Sequence, residues 1–545
     1  MTATEKRWLK HYPENISKEV DIPNIPVQQF LKDTAAKFPD NEAISFYTRK
    51  MPYREVLQLA TMFASALQAN GLQKGDRVAI MLPNCPHYVI SYYGILMAGG
   101  IVTQINPMLV GRDLAHILND SGAQTLVIYE PLLPVFQQVK DETQVNKAIS
   151  VNFPESGKDV EPAIPFEVFM MQANGKVEEP NINPAEDVAV LQYTGGTTGR
   201  SKGAMLTHRN LVANVIQTYA YFETEFNIGE DRVLSVIPLF HVYGMTSCMN
   251  LSIYTAAANI MLPRFDLQEV LETIKREQPT TFPGVPTMYI AITSHPEADK
   301  YGVDSIRRCN SGSAPMPVES MRAFEQKTGA MVLEGYGLSE TSPTTHCNPV
   351  FGERKPGSVG IGLPSTDYKI VDLETGTKEM PIGESGEIII KGPQVMKGYW
   401  NMPEETEHTL RDGWLYTGDI GKMDEDGYLY IIDRKKDMII ASGYNIYPRD
   451  VEEVIYEHPA VQEAVVVGVP DAYRGETVKA VIVLKEGQTV TEEEMIEYCR
   501  QNLAAYKAPK IVEFRKELPK TAVGKILRRT IKEQEMKKHE QQQQS

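Results

Sequence analysis

Short apolar runs set between helix-period segments constrain this chain more than any other feature. Residues 78–82 (VAIML) and 125–129 (TLVIY) lie among stretches with apolar side chains every three or four positions, at 27–37, 53–70, 86–98 and 113–120. Strands this apolar must be covered on both faces. Crossover helices do that, so the pattern predicts a mainly parallel sheet. The alternation resumes at 233–237, 259–261 and 305–309, with a helix over 267–277 between them. Residues 1–25 read as an extended arm, and 153–186, rich in proline and charge, as a surface excursion.

Within that frame, residues 193–203 (YTGGTTGRSKG) follow an apolar strand at 187–192 and precede a helical pattern over 211–222. Glycines let backbone N–H groups converge on anionic oxygens, and threonine hydroxyls, Arg200 and Lys202 add donors and charge. Strand, glycine-rich loop, helix is an arrangement for phosphate. It is not a Walker A loop, because Lys202 follows Ser201 and precedes Gly203.

With 55 basic and 71 acidic residues the net charge is −16, which argues against nucleic acid as a partner. The five cysteines are scattered and never in a CxxC pair, as expected for reduced thiols in a cytoplasmic protein without a metal–thiolate site. The first 21 residues lack the apolar core of a signal peptide. The longest apolar run, 88–105, is broken by Ser91 and three glycines, so it reads as a buried helix and strand, not a transmembrane segment. These features are compatible with peripheral membrane contact and with either a monomer or a homodimer.

Near residue 355 the character changes. Short alternating β runs with Gly, Pro and Asp turns fill 358–430, and a charged cluster follows at 433–437. Beyond it come a helix at 449–457, strands at 464–469 and 478–484, and a helix at 492–502, with a frayed tail over 532–545. The predicted class is α/β: a large N-terminal domain (1–432) of mixed and parallel sheets with flanking helices plus a small β unit, and a small mobile α+β C-terminal domain (433–545).

Several separated motifs carry a family resemblance. They are 193–203, 238–244 (PLFHVYG), 311–315 (SGSAP), 334–341 (EGYGLSET), 416–419 (YTGD) and 519–525 (PKTAVGK). In this order, over about residues 25–530, the chain resembles the adenylate-forming acyl-CoA synthetases. The stretch 412–436 is similar to the fatty acyl-CoA synthetase signature but departs from it at Tyr416, Met423, Glu425 and Tyr430, which leaves the preferred chain length open.

The resemblance implies ATP, Mg²⁺ and coenzyme A, with a fatty acid as substrate. It implies that Thr194, Gly195, Gly196, Thr197, Thr198, Gly199 and Lys202 hold phosphate, and that Gly312, Ser313, Gly335, Tyr336, Gly337 and Ser339 surround the nucleotide. Glu340 and Thr194 are the implied Mg²⁺ ligands: one carboxylate plus nucleotide oxygens suits that ion. Asp419 is implied at the ribose, with Arg434 beside it at the sugar or phosphate. Lys525 is implied to bridge the carboxylate and the α-phosphate, and His241 to wall the acyl site without transferring a proton. Met245 joins Gly312 as a candidate for the acyl cavity. Lys436, Ser442, Gly443 and Tyr444 are implied at coenzyme A once the small domain has swung about Asp433.

Three rival readings stay open at this stage. One is an aryl- or short-chain carboxylic acid–CoA ligase with the same machinery, and one is a non-catalytic acyl-nucleotide binding protein. The third, an amino-acid adenylation domain, is disfavoured because 238–244 holds no Asp to pair with an amine.

Overall fold

The computed structural model of the chain describes residues 6–109, 111–152, 163–194, 201–314, 316–435, 437–441, 444–471, 474–521 and 524–544. Two large sheets carry most of the N-terminal part. The first runs in the order Ile361–Gly362, Thr344–Cys347, Met331–Gly337, Arg308–Ser311, Thr281–Gly284, Arg232–Ser235, Ala258–Met261, Glu42–Phe46, Arg49–Pro52. Its centre is parallel and both edges are antiparallel. The second runs Gly398–Tyr399, Lys202–Thr207, Val188–Thr194, Ile101–Gln104, Arg77–Met81, Thr125–Tyr129, Lys147–Val151, Ile164–Pro165.

The apolar run after residue 86 becomes the helix Pro86–Met97, buried nearly throughout, and the buried strand Ile101–Gln104. Proline at the first helical turn costs no hydrogen bond there and starts the helix. Among the described residues no helix is long and apolar enough to cross a membrane.

The glycine-rich stretch departs from expectation. Residues Lys202–Thr207 form a strand that pairs antiparallel with Val188–Thr194, with Thr194 opposite Lys202. The helix His208–Tyr221 begins only afterwards. Thr207 caps it, accepting from Asn210 N at 3.1 Å while Asn210 Oδ1 accepts from Thr207 N at 2.9 Å. The stretch therefore joins two paired strands, and the helix does not follow it directly. The cause is the apolar content of KGAMLT, which earns a sheet position at its second half. Gly195, Gly196, Thr197, Thr198 and Gly199 lie outside the described residues.

Three other segments are more ordered than their composition suggests. Trp8, in the turn Arg7–His11, is 3% exposed and packs on Tyr368 with tilted rings whose centroids are 4.0 Å apart. Tyr12 donates to Gly362 O at 2.5 Å. Burying a side chain of that size is worth about 2–3 kcal/mol, enough to dock the arm. Within 163–186, Phe166 and Phe169 of the helix Phe166–Met170 are buried. The C-terminal tail is the helix Arg528–Gln544, held by buried Ile531 and by Lys479 Nζ at 2.6 Å from Glu535 Oε2.

A smaller sheet is built from Asp367–Val371, Gly386–Lys391, Trp414–Met423 and Leu410–Arg411, with Leu429–Arg434 paired to Trp414–Met423. The next sheet takes all its strands from 439 onward: Tyr444–Ile446, Ile439–Ala441, Gly475–Leu484, Val461–Asp471 and Ile511–Phe514. It has its own apolar core, including Ile446, Val451, Ile455 and Met495. The helices Pro448–Tyr456 and Glu492–Asn502 pack against it.

Candidate active site

A cleft of about 3160 Å³ is lined by the C-terminal ends of the large-sheet strands, the small β unit and the loop around Lys525. Thr194 and Lys202 stand at its phosphate-loop end, paired across the two strands. Ser201 Oγ donates to Thr194 O at 2.5 Å, tying the strand exits together. Lys202 is ion-paired to Glu405, with its ammonium 5.2 Å from the ring centroid of Tyr399.

Tyr399 also donates its hydroxyl to Glu340 Oε1 at 2.7 Å. Burial and then the Glu340 charge push the Tyr399 phenol far above its usual range, so it stays a donor. Glu340 sits on the turn Ser339–Thr341, after the strand Met331–Gly337 that carries Gly335, Tyr336 and Gly337. Gly337 is required by close approach: a Cβ there would meet Pro343 O at 2.2 Å. Ser313, with φ 65°, and Gly312 follow the strand Arg308–Ser311.

The Tyr336 hydroxyl reaches Asp419 Oδ2 at 2.5 Å, and Arg434 Nε stands 3.5 Å from Asp419 Oδ1. Register explains the second contact, because Asp419 and Arg434 are opposite one another on neighbouring strands. His241 accepts from Tyr243 N through Nδ1 at 3.2 Å, so the neutral ring carries its proton on Nε2. Burial, and then the Lys525 charge, hold His241 down at about 4.

Lys525 lies in a hairpin closed by Thr521 N to Lys525 O at 2.7 Å and Gly524 N to Thr521 O at 2.8 Å. Gly524 has φ 77°, and a Cβ there would lie 2.8 Å from Thr287 Oγ1, so the loop rests directly on the large domain's 285–287 segment. Burial, then the Arg434 charge, lower the Lys525 ammonium to about 7, with Asp419 pulling the other way.

The cleft thus brings together Thr194, Lys202, His241, Gly312, Ser313, Gly335, Tyr336, Gly337, Ser339, Glu340, Asp419, Arg434 and Lys525. Met245 is not on it: it is fully buried in the core, in the π-helical turn Gly244–Asn250, and the acyl-cavity expectation for it is withdrawn. Lys436, Ser442 and Gly443 lie outside the described residues, and Tyr444 opens the strand Tyr444–Ile446. Sequence reasoning missed Tyr399 and Glu405, which no motif marks and which meet Glu340 and Lys202 only through folding.

The chain belongs to the AMP-binding enzyme family. The model of that family, "AMP-binding enzyme", matches residues 31–400, and that of the "AMP-binding enzyme C-terminal domain" matches 450–525. Among its relatives is the long-chain-fatty-acid–CoA ligase of Bacillus subtilis (strain 168), 50% identical over 98% of this chain and 99% of that protein. The long-chain-fatty-acid–CoA ligase of Escherichia coli O6:H1 is 38% identical over 97% of this chain and 98% of its own length. Among solved structures, ATP-bound MatB from Rhodopseudomonas palustris superposes with a TM-score of 0.84 at 33% identity, covering 94% of this chain and 99% of that one. The Mycobacterium tuberculosis fatty acyl CoA synthetase gives 0.72 at 30% identity, covering 93% and 98%.

Proposed function

We propose that this protein is a fatty acid–CoA ligase that activates a medium- or long-chain fatty acid with ATP and passes the acyl group to coenzyme A. One observation carries the reading: Lys525, His241, Asp419 and Glu340 line a single cleft although they come from four separate parts of the chain. In the first half-reaction a carboxylate oxygen bonds to the α-phosphorus and pyrophosphate leaves with the electron pair of the broken P–O bond. In the second, the coenzyme A sulfur bonds to the acyl carbon, AMP leaves with the C–O pair, and the thiol proton is released.

The chain's own groups divide the work. Asp419 accepts ribose hydroxyls, and Tyr336 orients it. Lys525 neutralises charge that builds between the carboxylate and the α-phosphate, the kind of fixed electrostatic contact that dominates such reactions. His241 is neutral at physiological pH and walls the acyl end. Glu340 and Thr194 would hold Mg²⁺, which supplies Lewis-acid stabilisation of the phosphates. The donor set suits it: these are hard oxygens, and among the described residues no group of three or more His, Cys, Asp and Glu could cage an ion alone, so substrate oxygens would complete the shell.

The reading includes two working units, 1–432 and 433–545, that reorient about Asp433 between half-reactions. Lys436, Ser442, Gly443 and Tyr444 are the proposed contacts for coenzyme A. The test is pyrophosphate release across acids from acetate to stearate, with and without coenzyme A. A maximum among the longer acids is expected. A maximum at acetate or benzoate would move the substrate to the short-chain or aryl class, and no release with any acid would leave only nucleotide binding.

A further inference from the structure

Arg528 opens the C-terminal helix three residues after Lys525, and its guanidinium gathers carboxylates from both sides of the domain junction. Nη2 donates to both oxygens of Glu452, at 2.7 and 2.9 Å. Nη1 stands 3.3 Å from Asp433 Oδ1 and 3.4 Å from Asp437 Oδ2.

The partners differ in what they belong to. Glu452 lies on Pro448–Tyr456 and also accepts from Val466 N at 2.7 Å, so it is fixed within the C-terminal unit. Asp433 lies on Leu429–Arg434, the strand paired to the one that carries Asp419. Its other oxygen accepts from Arg449 N at 3.0 Å, and its side chain is only 3% exposed. A carboxylate so buried requires a facing cation or donors, and stripping away the cation is costly. Arg528 is that cation.

We infer that Arg528 is a positioning residue that ties the Asp433 carboxylate to the lysine loop and so holds Lys525 in the cleft beside His241. The inference rests on the reading that Lys525 serves the first half-reaction and that the chain turns about Asp433. When it turns, Glu452 travels with Arg528, whereas Asp433, at the turning point, keeps its place on the strand paired with Trp414–Met423. The shorter contact to Glu452 is permanent, and the longer contact to Asp433 is the one that is made and broken. Nη2 alone makes both bonds to Glu452, which leaves Nη1 for the carboxylates at the junction. Lys525 is within one short hairpin of that anchor, so misplacing the anchor misplaces the ammonium.

The test uses the full chain with Arg528→Gln and Arg528→Lys. Single-turnover formation of acyl-AMP is expected to fall by about 10- to 100-fold in Arg528→Gln, the loss that a misplacement near 1 Å produces. Arg528→Lys keeps the cation but has one nitrogen for Glu452 and Asp433 together, and should recover part of it. Consumption of supplied acyl-AMP by coenzyme A should be retained in both. Hydrogen–deuterium exchange without any substrate should quicken around Thr287 and Lys525, where the loop rests on the large domain. Equal loss in both half-reactions, or unchanged exchange, overturns the inference. If the unaltered chain forms no acyl-AMP from any acid but exchange still quickens in Arg528→Gln, the ligase reading falls and the tie stands. Should Arg528→Gln fail to fold, Arg528→Lys carries the same comparison.

Discussion

The Tyr336 hydroxyl donates to Asp419 Oδ2 at 2.5 Å, joining a strand of the large sheet to a strand of the small β unit. Asp419 is 6% exposed, so its orientation is set by protein and not by water. Tyr336→Phe removes the donor and keeps the ring. A hydrogen bond to a charged group contributes about 1.5–3 kcal/mol, and part of that loss should appear as ATP affinity weakened several-fold in calorimetry. Asp419→Ala should weaken it further. Tighter ATP binding by Tyr336→Phe would mean that the phenol competes with the ribose.

Lys525→Ala should cut acyl-AMP formation by about 10²–10³ while sparing the reaction of supplied acyl-AMP with coenzyme A. Paired single-turnover assays decide it. A matching fall in both steps would remove the role assigned to this lysine.

The pH dependence follows from the same residue. Burial and Arg434 bring the Lys525 ammonium down to about 7. Only the protonated form carries the charge, so kcat/KM for acyl-AMP formation should decline as pH rises through that region, whereas His241, held at about 4, adds no limb near neutrality. Arg434→Gln removes a like charge and should move the decline to higher pH. A profile flat between pH 6 and pH 9, about a full titration on either side of 7, would contradict this.

Glu340→Gln should raise the Mg²⁺ concentration needed for half-maximal acyl-AMP formation, because an amide binds a hard cation less well than a carboxylate does. Tyr399→Phe, which leaves the carboxylate in place but unanchored, should have a smaller effect in the same titration. Identical Mg²⁺ curves for Glu340→Gln and the parent chain would exclude this residue as a ligand.

Asp433→Pro fixes φ near −65° and deletes an N–H. Both this variant and Asp433→Ala lose the carboxylate that faces Arg528, so both should form acyl-AMP more slowly. The hinge is read from the second step: the proline variant should fail to pass supplied acyl-AMP to coenzyme A, whereas Asp433→Ala, with φ free, should still do so. A proline variant that discharges acyl-AMP as fast as Asp433→Ala would put the turning point elsewhere in 433–437.

Much of this architecture is written locally. The helices Leu267–Glu277 and Glu492–Asn502 coincide with their sequence patterns because each has a capping side chain at its start, Asp266 and Thr491, and a regular apolar stripe. The strand Lys202–Thr207 was illegible because its six residues follow a glycine-rich stretch and gain their identity only from pairing with Val188–Thr194. Site residues that belong to motifs, such as Asp419 and Lys525, could be named from the sequence. Tyr399, Glu405 and Arg528 could not, since each acts through partners tens to hundreds of residues away, and nothing near them in the chain records those partners.

A joint turns usefully only if one side of it is held still. The small β unit that bears both Asp419 and Asp433 is clamped from behind by the first described residues. Trp8 lies on Tyr368, a Cβ at Gly427 would strike Trp8 N at 2.7 Å, and Lys10 and Lys355 share Asp426, each at 2.7 Å. In the proposed two-unit reading the arm is thus the fixed mounting: loosening it would let the β unit that carries Asp419 and Asp433 shift when the C-terminal unit turns. A defect at Trp8, which does not line the cleft, would then read out as poor hand-over between half-reactions.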